Sequence, residues 1–443
     1  MGKLTVYRGG IYHALSPEHG EGWQDGALVV DASGTIVDCG LWQQVNQKID
    51  LSGCEQVTLQ PGQCILPGMF DLHTHLPQYQ VTGCEAADLG QWLDAYILPE
   101  EARFEDTAYA AAMADVFFKQ LLAKGTTTAA VFLTSHVEAT TLAFETAARY
   151  GNRVVMGLNL MDRFGEGDGP EGLVRPVADL LRDTEDLYQT WHGANEGRLQ
   201  YAWMPRYAAS CSDPLLAGVG ALYRKYPEAY CHTHISEQLG EIETVLRLFP
   251  QVETYTGVYE AAGLLGPKTL LAHGVHLSQQ ERARIREHQS TLVHCPSANF
   301  FLKSGRFPLK EMLADQVKLG LGTDVGAGPS LSLFDVMRDA VYMQAVGPAS
   351  IGWHVPFYLA TLGGAEALGM ADRLGNFLPG KAADFVVAAL DQIPEKNLAQ
   401  DWDVDEMLPR LIYSGDCSRV VKTYIEGRLV YEKTNVGNEN KYA

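Results

Sequence analysis

"FDLHTHLPQYQ", residues 70–80, sets His73 and His75 two positions apart, behind Asp71 and ahead of Pro77. The chain has 13 histidines in 443 residues, an ordinary number, so the spacing carries the information. In a β-strand, residues i and i+2 point to the same face. If this stretch ends a strand, both imidazoles aim at one point, which suits a metal ion. The plainer reading is a pair of polar residues on a strand edge.

Outward from this stretch the pattern repeats. Eight apolar strand candidates alternate with amphipathic helical stretches: "CILPGMFDLHTH", "TTTAAVFL", "RVVMGLNLM", "LQYAWMPR", "AYCHTHIS", "TLLAHGVHL", "STLVHCPSAN" and "VKLGLGTD". "DTAYAAAMADVFFKQLLAK" reads as one of the intervening helices. "SQQERARIREH" is another, opened by Ser278 with Glu281 three residues on, a capping box. Eight βα units predict an α/β chain folded as a (β/α)8 TIM-like barrel over residues 65–378. The two ends read differently. "GALVVDASGTIVDCG" near the start and "RVVKTYIEGRLVYE" near the finish are short β-forming runs around glycine turns. Residues 1–64 and 379–443 are therefore expected to form one small β-sandwich domain built from both chain ends.

The composition, 46% hydrophobic and 20% charged, is that of a globular enzyme-sized protein. A net charge of −20 argues against a nucleic-acid polymer as partner, since phosphate backbones are bound by basic patches. The opening "MGKLTVYRGGIYH" lacks the apolar core of a signal peptide, and Val6 stands where a myristoylation signal wants Ser or Thr. No uninterrupted apolar run is long enough to span a bilayer. The eight cysteines (Cys39, Cys54, Cys64, Cys84, Cys211, Cys231, Cys295 and Cys417) are scattered with no C-x-x-C pair, which fits reduced thiols. A cytoplasmic protein without a membrane partner is the expectation.

Catalytic groups on such barrels come from the C-terminal ends of the strands. Here Arg206 ends the fourth candidate, His234 the fifth and Asp324 the eighth, while His273 lies on the sixth and His294 on the seventh. His232 shares the parity of His234, and either could be a ligand; His273 and His276 pose the same choice. His294 either sits beside the metal ligands or only packs. Three histidines and one aspartate make a good mononuclear zinc or iron set with a position left for water. The metal lowers the pKa of that water from 15.7 to about 7. Glu237, three residues past His234, is placed to carry a proton. "LGLGTDVGAG" is no dinucleotide fingerprint, because Val325 stands where the third glycine should be. "SHVE" offers an H-x-E, but the P-C-x-x-C that accompanies it in zinc nucleobase deaminases is absent; Ser135 with Glu138 predicts a capping box instead.

"PGMFDLHTH" resembles the first-strand signature of the amidohydrolase superfamily, and the likeness continues in order through "HISE", "LAHG", "HCPSAN" and "GLGTD". Within it the chain is similar to the guanine deaminases, through "HLPQYQVTG", "WLDAYILPEEARF", "MPRYAASCS", "FLKSGRFPL" and "ATLGGAEALGM". The resemblance implies metal ligands at His73, His75, His234 and Asp324, with Asp324 also taking a proton from the attacking water. It implies a proton shuttle at Glu237 and a histidine steadying that water at His273. Gln78, Arg206 and Tyr207 match positions that contact a purine base, and Trp92 is expected to line the same pocket. No carbamylated lysine stands among the matched ligands, which favours one metal ion, zinc or iron, over two. A homodimer and a guanine substrate are further implications. Related heterocycles such as 8-oxoguanine, a pterin or an s-triazine stay open. A ring-opening cyclic-amide hydrolase would want the missing lysine, and the intact metal and shuttle positions argue against an inactive scaffold. Two departures bear on substrate preference: Tyr207 replaces an expected Phe, and Ala298 stands where a Ser is usual.

Overall fold

The computed structural model describes residues 4–165, 167–347, 350–390, 403–414 and 419–434. Two sheets organise the molecule. Eight parallel strands form the barrel in chain order: Met69–His75, Thr126–Phe132, Arg153–Gly157, Leu199–Pro205, Tyr230–Ile235, Thr269–His273, Thr291–His294 and Lys318–Leu321. A two-residue strand, Asn159–Leu160, extends the third against the fourth. Almost every residue of the eight is buried, because helices cover the outside and side chains fill the inside.

The first and eighth strands meet beyond their ladders. Asp324 N–H donates to His73 O at 2.8 Å and His75 N–H to Val325 O at 2.9 Å. Buried Asp71 reinforces this seam, accepting from Thr323 N at 3.0 Å and from Thr323 Oγ1 at 2.5 Å. The barrel thus closes at the residues that the sequence marks as ligands.

The helix Thr107–Ala123 shows how local sequence builds this frame. Asp106 caps it, accepting from Ala108 N at 2.9 Å. Its inner face buries Phe117, Phe118, Leu121 and Leu122, each such burial contributing about 1.5–3 kcal/mol. The capping box at Ser278 and Glu281 forms as the sequence predicts and opens the helix Gln279–Glu287.

The second sheet runs in the order Arg428–Glu432, Val420–Ile425, Phe385–Ala389, Gln63–Pro67, Thr5–Ala14, Gly20–Val30, Ile36–Leu41, with Glu55–Thr58 beside Thr5–Ala14. Strands from the two chain ends are hydrogen-bonded neighbours, Phe385 opposite Pro67 and Ala389 opposite Gln63. Gly34, with φ +83°, lets the "DASGT" bend rest on Glu426 O; a Cβ there would lie 2.1 Å from that oxygen. Buried Arg153, the first residue of the third barrel strand, reaches Asp384 at 2.7 Å and Glu426 at 2.8 Å and ties the sheet to the barrel floor. We propose the division 1–64 and 379–443 against 65–378 for the two domains. Cys417 and parts of 379–443 lie outside the described residues. The seven cysteines among the described residues are free thiols.

Three local readings need correction. The stretch from Cys64 to His75 is two strands, not one: Pro67 lacks an N–H for a continued ladder, and Gly68 passes so close to Thr127 that a Cβ would lie 2.2 Å from its hydroxyl. In "STLVHCPSAN" the strand stops at His294, and Pro296 opens the helix Pro296–Phe301, where its missing N–H costs nothing. Ser135 and Glu138 form no capping box. The helix Val137–Tyr150 has His136 at its N-cap, which puts Glu138 one position early, and Ser135 Oγ is buried without a partner.

Candidate active site

His73 and His75 lie at the end of the first strand, His234 on the fifth, and Asp324 three residues beyond the eighth. They converge. His73 Nε2 and His75 Nε2 each lie 3.2 Å from Asp324 Oδ1 and 3.2 Å from one another, and His234 Nε2 lies 3.2 Å from His75 Nε2. Metal–nitrogen bonds of 2.0–2.1 Å in a tetrahedron separate ligand atoms by about 3.3 Å, so this spacing fits a zinc-sized cation.

The outer nitrogens fix the inner ones. His234 Nδ1 lies 2.6 Å from Arg206 O, which only accepts, so the proton is on Nδ1 and the Nε2 lone pair faces the centre. His73 Nδ1 lies 2.9 Å from His232 Nε2. His232 thus lies behind His73, while His234 is among the clustered atoms that could hold a metal ion. Burial pushes the His73 imidazolium down to about 3 and His234 well below its ordinary range, so both are neutral, as metal binding requires. Burial opposes charge on Asp324 too, yet His73 and His75 hold its carboxyl well below the usual carboxylate range. Four atoms of suitable chemistry in one cluster make a site that could hold one metal ion. Cys295 lies near His273 and Asp324, but burial holds its thiol protonated, a poor ligand.

Beyond the ligands, His273 Nε2 sits 3.6 Å from both Glu237 Oε2 and Asp324 Oδ2, with Nδ1 on Asn299 Oδ1 at 3.1 Å. Ser304 Oγ donates to Glu237 Oε1 at 2.9 Å. Burial pushes the Glu237 carboxyl up to about 7, with His273 partly offsetting the rise. Glu241 accepts from Glu237 N at 2.9 Å and from the Tyr255 hydroxyl at 2.7 Å, which fixes the backbone that carries Glu237.

One pocket, about 430 Å³ of empty space, joins these groups to the residues expected to touch substrate. Gln78, Trp92, Arg206 and Tyr207 line it together with His75, His234, Glu237, His273 and Asp324. Trp92 is nearly buried, its indole N–H held by Cys84 O at 2.8 Å, so it presents a fixed ring. Leu89, Leu93 and Leu302 add apolar wall. His276, by contrast, bonds Ser304 O at 2.7 Å, and His294 stacks on Phe307 with neither ring nitrogen hydrogen-bonded. Ala298 is fully buried in apolar packing and is not among the residues that line the pocket.

Sequence reasoning assigned no role to Glu101, Glu241, Asn299 or Ser304. Glu101 is fully buried; its Oε1 accepts from Gln78 Nε2 at 3.1 Å and its Oε2 from Arg206 Nη1. A signal existed. Ile97, Glu101 and Phe104 follow helical spacing on one buried face, and an acid at an apolar position there calls for a buried partner.

A parallel barrel with three imidazoles, one carboxylate and a buried glutamate at its strand ends defines a metal-dependent hydrolase. The chain belongs to the amidohydrolase family, which it matches over residues 64–430. Within that family it is similar to guanine deaminases. The Escherichia coli guanine deaminase is 37% identical over 412 residues, 93% of this chain and 92% of that protein. A solved structure of the E. coli enzyme superposes with TM-score 0.89 at 34% identity, covering 98% of this chain and all (100%) of that one. The guanine deaminase of C. acetobutylicum, solved with guanine in its active site, superposes with TM-score 0.88 at 30% identity over 97% of this chain and 100% of that one.

Proposed function

We propose that this protein is a guanine deaminase: it adds water to guanine at C2 and releases ammonia, leaving xanthine. The observation that carries the reading is one pocket in which a cation site and a buried glutamate face a wall of hydrogen-bond donors from Gln78 and Arg206. The likeness to guanine deaminases over nearly the whole chain supports it.

His73, His75, His234 and Asp324 are the proposed ligands of a single ion, zinc by the donor set, with iron compatible. When bound, the ion supplies Lewis-acid activation of water. The chain's own residues do the rest. Asp324 accepts a proton from the attacking water, and His273, between Asp324 and Glu237, orients that water. Glu237, whose pKa burial brings to about 7, gives a proton to N3 and then assists the departing amine. Arg206 and Gln78 donate to O6 and the ring nitrogens, Trp92 and Tyr207 flank the ring, and the Leu89, Leu93 and Leu302 side chains exclude bulk water. A cytoplasmic homodimer completes the proposal. No described helix is long and apolar enough to cross a membrane.

The test is a substrate panel with the zinc-loaded protein. Guanine is expected to yield equimolar xanthine and ammonia. Adenine, which has no amine at C2 to release and lacks the O6 that the buried donors would meet, is expected to react at least about 10²-fold more slowly. Equal rates on the two purines, or faster turnover of 8-oxoguanine, a pterin or an s-triazine, would reject guanine as the substrate.

A further inference from the structure

We propose that Glu101 is a positioning residue that sets the polarity of the substrate-reading wall. The inference rests on the deaminase reading and deepens it. The side-chain amide of a glutamine has two orientations of similar shape, and only its partners select one. Gln78 lies between two partners of opposite kind. Glu101 Oε1 takes Gln78 Nε2 at 3.1 Å. On the other side Gly326 N–H, a donor only, faces Gln78 Oε1 at 3.4 Å. Glu101 therefore turns the amide so that its NH2 end lies on the Arg206 side. The same carboxylate holds Arg206 through Nη1, which fixes the plane of the guanidinium.

The consequence is chemical selectivity. With one N–H of each side chain committed to Glu101 and Gln78 Oε1 turned toward Gly326 N–H, the groups that Gln78 and Arg206 present on the Glu101 side are donors. The edge of a 6-oxopurine that carries O6 and N7 is two acceptors, whereas a 6-aminopurine places a donor at the first of these positions. The pairing also neutralises Arg206, so the reading wall itself adds no lone cation that would favour an anion over a neutral base. Glu101 is itself fixed: it is fully buried on the helix Leu98–Ala102, and its carbonyl accepts from Thr134 Oγ1 at 3.4 Å, just past the second barrel strand. It touches neither the cation site nor the groups proposed to move protons.

Glu101→Gln keeps the shape but gives the side chain a donor end, so one of its two contacts becomes donor against donor. The expected result is a guanine KM raised about 10-fold or more, kcat within about threefold, unchanged metal content, and a preference for guanine over 2,6-diaminopurine (which keeps the C2 amine and changes only position 6) reduced about 10-fold in kcat/KM. Glu101→Asp, still acceptor-only but one methylene short, is expected to raise KM while keeping the preference. It carries the test through its KM if Glu101→Gln yields no folded protein. Glu100→Gln, on the same helix but paired with Arg103 and the Tyr109 hydroxyl, is expected to match the wild type. A wild-type KM and preference in Glu101→Gln overturn the inference. So does a parallel loss of kcat, metal and thermal stability in both Glu101 variants with the preference intact, the signature of a merely structural role. If the wild type releases no ammonia from guanine, the functional reading falls and the inference falls with it.

Discussion

Glu237 is buried with one carboxylate oxygen on Ser304 and the other turned toward His273. It is not among the four clustered ligand atoms, so its chemistry and the cation site are separable. Glu237→Gln is expected to lower kcat by about 10²–10⁴-fold with metal content, read by mass spectrometry, unchanged. Full activity in that variant would remove Glu237 from the proton pathway. At this scale the sequence marked the residues proposed to do chemistry and hid those that hold them. His73, His75, His234, Glu237 and Asp324 stand out because rare residue types recur at strand ends. Ser304, Asn299 and Glu101 are common types in loops and helices, and their contacts cross 67, 26 and 105 residues to reach Glu237, His273 and Arg206. Nothing local marks a serine as the donor to a glutamate so distant in the chain.

Single elements show how far local rules reach. The helix Gln279–Glu287 begins where Ser278 and Glu281 say it should, because both halves of the cap lie within four residues. Ser278→Ala is expected to destabilise the protein by about 1 kcal/mol, seen as a lower denaturant midpoint with an unchanged slope. The same motif failed at Ser135, where the barrel strand before it sets the entry of the chain and starts the helix one residue later than the motif requires. The strand ends at the site depart from regular geometry as well. Ser236, His273 and Asp324 have φ of 48°, 71° and 48°, a left-handed backbone that residues other than glycine rarely adopt. His273 and Asp324 are proposed to face the reacting water, and neighbouring strands hold those conformations in place. Propensity argues against them, so no reading of the element alone would find them.

At the scale of the whole molecule, the chain ends and the barrel depend on each other. His13, on the strand Thr5–Ala14, accepts from Phe377 N at 3.2 Å and stacks on the Phe377 ring. Burial, aided by Lys381, lowers its pKa from 6.5 to about 4. Between those values the unfolded chain binds a proton that the folded one refuses, so stability is full above pH 6.5 and drains away as pH falls toward 4. His13 alone should cost roughly 1–2 kcal/mol between pH 7 and pH 5. In His13→Asn, whose side-chain oxygen still accepts from Phe377 N–H, the fall in melting temperature over that interval is expected to shrink; an identical fall would remove His13 as a source of acid sensitivity. The sequence by itself determined the barrel, the pairing of its two β-rich ends and the strand ends that carry the candidate ligands, because strand period, βα alternation and strand-end histidines are properties of short windows of chain. Only the tertiary structure decided which histidine of each pair faces the centre, where the barrel closes, and that one glutamate clamps Gln78 and Arg206. Those choices rest on hydrogen bonds between segments brought together by folding, and a proton or an amide orientation is fixed only by the partner across the gap.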